Sequence, residues 1–164
     1  MFGTVQAYAY RTEIDPWGMP RSVILFALAS RVPRIMIDDV VSAELPCSTT
    51  YPTLHAIVAR WMVHEPCDKH PLPRCRIGRI QNQCSRGYPK AIVSETQVVE
   101  DRYVYYRRRG HYTAQRHGVT IDDQWVLPYN PTLLMLFNSH INVELYAPRA
   151  GDWWHLSECQ ILTQ

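Results

Sequence analysis

At 164 residues, 46% of them apolar and 11% aromatic, the chain can hide about two-thirds of its unfolded surface in one domain, a composition that argues against disorder. Its longest apolar run, VILFALA at 23 to 29, is far short of the ~20 residues that cross a bilayer, and the opening MFGTVQAYAY lacks the basic start and apolar stretch of a secretory signal. The net charge of +2 conceals a basic middle, because residues 60 to 117 carry twelve basic and five acidic groups and 15 of the 17 basic residues are arginines. Planar five-donor forks suit phosphate contact, which points to a polyanion partner; a solvated basic surface is the equal alternative. Five cysteines without a secretory signal read as reduced thiols or metal ligands sooner than disulfides.

In chain order, VQAYAYRTE (5 to 13) and SVILFALA (22 to 29) alternate as strands, and the intervening DPWGMP supplies the turn of a hairpin. In YPTLHAIVARWMVH (51 to 64), Leu54, Ile57, Val58, Trp61 and Met62 recur at the spacing of one helical face. Residues 65 to 90, rich in Pro, Cys and Arg, have no period and read as a loop that needs support other than packing. TQVVEDRYVYYRR and DQWVLPY then read as strands. NPTLLMLFN reads as a short helix with Asn130 as cap and Pro131 in its first turn, and HINVELY as a strand. This mixed order predicts an α+β fold with a mixed or antiparallel sheet.

Three groups of residues could carry chemistry. His64, Cys67, Cys75 and Cys84, with His70 as a substitute, supply the thiolate and imidazole donors of a tetrahedral zinc site, and a metal would order a loop that packing cannot. Scattered packing thiols are the alternative, and Cys47 and Cys159 read as such. In YVYYRRRGHY (103 to 112), arginine donors interleave with tyrosine faces, the pattern of a sequence-tolerant grip on single strands. Tyr103 and Tyr105 share one strand face with Tyr106 on the other, so at least one tyrosine is expected to pack, while Arg107, Arg108 and Arg109 are expected to be exposed with at least one on phosphate. Finally, His140, Asn142 and Glu144 alternate onto one strand face, as a ligand row or as the polar side of a half-buried strand.

The runs DDVVSAELP, MVHEPC, CSRGYPK, YYRRR and DDQWVLPYNPTLLMLFNSHINVEL resemble, in order and spacing, the N-terminal Rep-like domain of Helitron transposases, often labelled helitron helicase-like. The resemblance covers about residues 4 to 146 and divides the chain into a partial Rep-like domain (1 to 146) and a diverged tail (147 to 164). It implies a rolling-circle transposable element, a nuclear location, an ancestral HUH-type nuclease and strand transferase acting on single-stranded DNA, and a fused superfamily 1 helicase. Tyr103, Tyr106 and Arg107 to Arg109 match the family's GYPVYRRR-type segment, which precedes the nucleophile.

The departures bear on activity. Where the family carries a GLPHAH-like cation-binding motif, this chain has GMPRSV, with Arg21 and Val23 at the ligand positions; neither side chain binds a cation. No tyrosine follows Tyr146, where the family has its catalytic tyrosines, and no G-x4-G-K-[ST] loop for ATP occurs. The expectation is a nuclease-dead remnant with no catalytic residue and no ATP, retaining single-stranded DNA binding through its basic middle. The alternatives are a zinc-stabilised structural or interaction module without a nucleic-acid role, or a product that does not fold stably.

Overall fold

The structure is a computed structural model that describes residues 3–14, 18, 20–30, 32–33, 36–67, 84–99, 104–145 and 159–163. Strands β1 (Val5–Ile14) and β2 (Pro20–Leu28) form the expected antiparallel hairpin. A short helix α1 (Ile37–Val40) precedes an extended segment, and α2 (Pro52–Trp61) follows. Two small ladders come next, β3 (Gln97–Val98) with β4 (Val104–Tyr105) and β5 (Ala114–Arg116) with β6 (Val119–Ile121). After a 3-10 turn at Asp123–Trp125 come α3 (Pro131–Phe137), β7 (Ile141–Leu145) and β8 (Cys159–Thr163). The main sheet has the order β1-β2-β8-β7 with every neighbouring pair antiparallel. The fold is α+β.

The predicted face of α2 is the one that packs. Val58 and Met62 are fully buried, and Leu54, Ile57 and Trp61 lie half-buried against the same core. Leu134 of α3, Ile141 and Val143 of β7, and Val126, Leu127 and Tyr129 of the connecting segment join it, with Ile37, Val40, Val41 and Leu45 from α1 and the segment after it. Asn130 caps α3 as expected: its side chain accepts from the Leu133 amide at 3.0 Å and its Nδ2 donates to the Val40 carbonyl at 2.7 Å. One residue thus starts a helix and ties it to the segment beneath.

Two expectations require correction. DQWVLPY is not a strand: Asp122 caps the 3-10 turn by accepting from the Gln124 amide at 3.0 Å, and the rest runs extended with single bridges, Val63 to Val126 and Ser42 to Tyr129. Pro128 has no amide for a continuous ladder, and the segment divides its remaining donors between two partners. TQVVEDRYVYYRR is likewise two short strands, since Val98 lies opposite Val104. Within the segment 147 to 164, where no strand was predicted, β8 stands between β2 and β7. The β5–β6 hairpin was also not foreseen; its two turn residues, His117 (φ 47) and Gly118 (φ 77), have the paired positive φ of a type I′ turn.

Replacing Asn130 by Ala removes a helix cap and leaves the Val40 carbonyl buried without its donor, so the urea unfolding midpoint should fall by the equivalent of about 2 to 3 kcal/mol. Asn130→Asp keeps the cap acceptor but not the donor and should recover only part of that loss.

Candidate metal centre

The end of α2 and the start of the CSRGYPK run build the site. Beyond Met62 the chain becomes extended and pairs with the segment after the 3-10 turn, the His64 amide donating to the Trp125 carbonyl and the Leu127 amide to the Met62 carbonyl, both at 2.8 Å. That pairing buries Val63 and, by strand alternation, turns His64 to the other side. Arg116 braces the same corner: its guanidinium donates to the Ala59 carbonyl at 2.8 Å and to the Arg60 carbonyl, and its Nε meets Glu65 Oε1 at 2.6 Å. A cation on the last carbonyls of a helix is favourably placed against the helix dipole.

From the other side, the Gly87 amide closes a turn onto the Cys84 carbonyl at 2.9 Å, with Gly87 at φ 65. The Lys90 amide donates to the Gln124 carbonyl at 2.9 Å, and Gln124 Nε2 returns a bond to the Lys90 carbonyl at 3.1 Å. The Tyr88 ring then stacks on the His64 imidazole, with centroids 4.4 Å apart and planes 23° from parallel. The imidazole is therefore held on its edge and on its face.

Cys67 Sγ lies 3.5 Å and Cys84 Sγ 3.2 Å from His64 Nε2, and the three ligand atoms all fall within 4.8 Å of one another. For zinc bonds of about 2.3 Å to sulfur and about 2.0 Å to nitrogen at a tetrahedral angle, the sulfur–nitrogen edge is about 3.5 Å. Both observed edges lie within a few tenths of that. The imidazole Nε2 has one lone pair, so it can take a proton from only one thiol at a time; two sulfurs converging on it suit a shared ion. Burial, with Arg86 and Lys90 adding to it, pushes the His64 pKa down to about 4, so the ring is neutral at pH 7, the form that ligates a metal. Burial pushes Tyr88 up to about 12, which keeps the stacked phenol neutral too.

Of the four residues expected to bind zinc, His64, Cys67 and Cys84 are brought together, across 20 residues of sequence. Cys75 and the substitute His70 lie outside the described residues. The group can hold a metal ion, and among the described residues it is the one cluster of three or more such side chains. The row on β7 is not gathered as a ligand set: His140 Nδ1 meets the Trp61 carbonyl at 2.6 Å, and Asn142 donates to Glu144 at 2.9 Å.

The arginine triplet faces inward more than expected. Arg108 is 4% exposed, and its NH1 donates to the carbonyls of Ala43 at 3.2 Å, Val126 at 2.7 Å and Asp123. Arg107 pairs with Asp38 at 3.0 Å and with Glu44 at 3.1 Å, and Arg109 reaches Glu44 through Nε at 2.8 Å and NH2 at 2.9 Å. The expectation of exposure fails for Arg108, which the carbonyls of residues 43, 123 and 126 enclose, while Arg107 is half-buried and Arg109 exposed, each of them paired with acids from residues 38 to 44. Tyr106 is buried, its hydroxyl accepting from the Leu145 amide at 2.7 Å, while Tyr105 is exposed. Tyr103 lies outside the described residues.

Sequence reasoning passed over Glu44, Asp123, Arg116 and Tyr88. A signal was present for Glu44, which sits in the largely apolar run VVSAEL, where a carboxylate survives only with partners; Asp123, between Asp122 and Gln124, carried none.

No protein-family model and no curated protein matches the chain.

Glu44 yields a pH prediction. Burial raises its pKa, but the hydrogen bond from Arg109 and the charges of Arg107 and Arg109 outweigh burial and hold it below the ordinary value of 4.5. A depressed carboxylate pKa adds stability that is present above the unfolded value and lost as pH falls through the folded one. Glu44→Gln should therefore cost about 1 to 3 kcal/mol in urea unfolding at pH 7, with the gap from the parent closing as the same titrations are repeated below the ordinary carboxylate range.

Proposed function

We propose that the chain is a zinc-ordered structural or interaction module without nuclease activity, its ancestry in the Rep-like domain of Helitron transposases. The observation that supports this most is the convergence of Cys67 Sγ and Cys84 Sγ on His64 Nε2. Zinc bound there would supply a crosslink between the end of α2 and the CSRGYPK turn. Cys75, from the intervening segment, is the fourth donor that the sequence offers. A site closed by four protein donors leaves no open position for substrate, which suits a structural role. The ancestry rests on the family-like runs, and the absence of phosphodiester chemistry on Arg21 and Val23 standing at the implied cation-ligand positions.

The purified chain should carry one zinc per molecule by elemental analysis, and a strong chelator should lower its melting temperature. Cobalt in place of zinc should give sulfur-to-metal charge-transfer absorption, reduced by Cys67→Ser and by Cys84→Ser. Cys75→Ser tests the fourth ligand through the same spectrum. A folded, zinc-free chain whose melting ignores the chelator would remove the proposal.

Single-stranded DNA binding is the second reading, supported by the basic middle of the chain. The pairing of Arg107 and Arg109 with Asp38 and Glu44, and the burial of Arg108, shift its expected carriers to the exposed Arg86 and to Lys69, Arg74, Arg76 and Arg79. Fluorescence anisotropy of a labelled single strand at two salt concentrations should then show salt-sensitive binding whose slope changes on neutralising those five residues. Alanine at Arg107 to Arg109 should instead lower thermal stability. Absence of binding by the folded, zinc-loaded chain would leave the structural module alone.

A further inference from the structure

Among the described residues, β1 is the outermost strand of the four-stranded sheet and its outer edge has no strand beside it. All but one of its residues are exposed. Such an edge offers a row of free amides and carbonyls, and sheets usually blunt it with proline, isolated charges or short length. Here the strand is 10 residues long with no proline, and its two charges, Arg11 and Glu13, pair with each other at 3.0 Å. The other face presents Tyr8, Tyr10 and Ile14, which are 68%, 70% and 67% exposed.

We propose that the outer edge of β1 pairs, antiparallel and about a two-fold axis at Thr12, with the same edge of a second copy of this chain. In that register Arg11 stands opposite the partner's Glu13 and Glu13 opposite the partner's Arg11. The two intrachain pairs thus become a quartet of alternating sign. On the other face Tyr10 stands opposite the partner's Ile14, and symmetry repeats the contact, an aromatic with a β-branched side chain being a favoured cross-strand pair. Side-chain alternation allows a symmetric ribbon only at registers that move the axis by whole residues. An axis at residue 11 sets Arg11 against Arg11, and one at residue 13 sets Glu13 against Glu13. Charge complementarity therefore selects Thr12 over its neighbours.

Analytical ultracentrifugation of the full chain over a wide range of concentration should show a monomer–dimer equilibrium. Arg11→Glu makes all four members of the quartet acidic and Glu13→Arg makes them all basic, so each variant should dimerise about tenfold more weakly or worse. Mixing the two should restore association as a heterodimer, since one strand supplies both acids and the other both bases. The double variant Arg11→Glu/Glu13→Arg rebuilds the quartet with signs exchanged and should self-associate like the parent. These side chains are 80% and 39% exposed, so unchanged circular dichroism is expected throughout. A chain that stays monomeric, a dimer indifferent to both reversals, or variants that neither heterodimerise nor recover in the double form would overturn the proposal.

Discussion

The Arg108 guanidinium joins three stretches of chain that have no continuous ladder between them. Its bonds to the Ala43, Asp123 and Val126 carbonyls satisfy donors that water cannot reach, and a buried cation with any of them missing would be strongly destabilising. Asp123, 1% exposed, works from the opposite direction: its carboxylate accepts from the Leu45 amide and the Gly110 amide, both at 2.7 Å. Residues 43 to 45, 108 to 110 and 123 to 126 are thereby fixed as a unit. The segment 125 to 127 in turn holds Met62 and His64 by backbone bonds, so the ligand cluster takes its geometry from this junction.

The same junction explains why the charge of the arginine triplet is met from within the fold. Glu44, with 12% of its side chain exposed, faces Arg107 and Arg109 together, and Arg116 is spent on Glu65 and the end of α2. A phosphate would have to displace a half-buried carboxylate from either flank of the triplet, an exchange with little gain because one anion replaces another. Formal charge counted along a chain is therefore a poor measure of the field outside it.

What was legible in the sequence was local. The α2 stripe, the Asn130 cap with Pro131 behind it, and the alternation of β1 and β2 are each written within a dozen residues, and each appears where the pattern puts it. The candidate ligands could be named because thiol and imidazole chemistry limits the choice, although spacing alone could not say that Cys84 would return to His64. The partners of the triplet were out of reach: Glu44 lies 63 and 65 residues from Arg107 and Arg109, and no short-range pattern encodes such a pairing. Length misled for VYYRR, where a two-residue ladder to β3 gives way to a single bridge between Val93 and Arg108, and for DQWVLPY, where single bridges go to separate partners. In β8, only Ile161 and Leu162 separate the polar residues of CQILT, too brief an alternation to register as a strand.

The strand order has a kinetic meaning. β1 and β2 are neighbours in sequence and can close quickly as a hairpin, but β2 gains its second backbone neighbour only from β8, with Phe26 opposite Cys159 and Ser22 opposite Thr163. That ladder spans more than 130 residues of chain, and among the described residues β7 joins the sheet through the same strand. Pairings of such high contact order are slow to form because chain entropy must be lost before they return any stabilisation. During synthesis the hairpin would therefore wait, already formed, until the strand that seats it had left the ribosome.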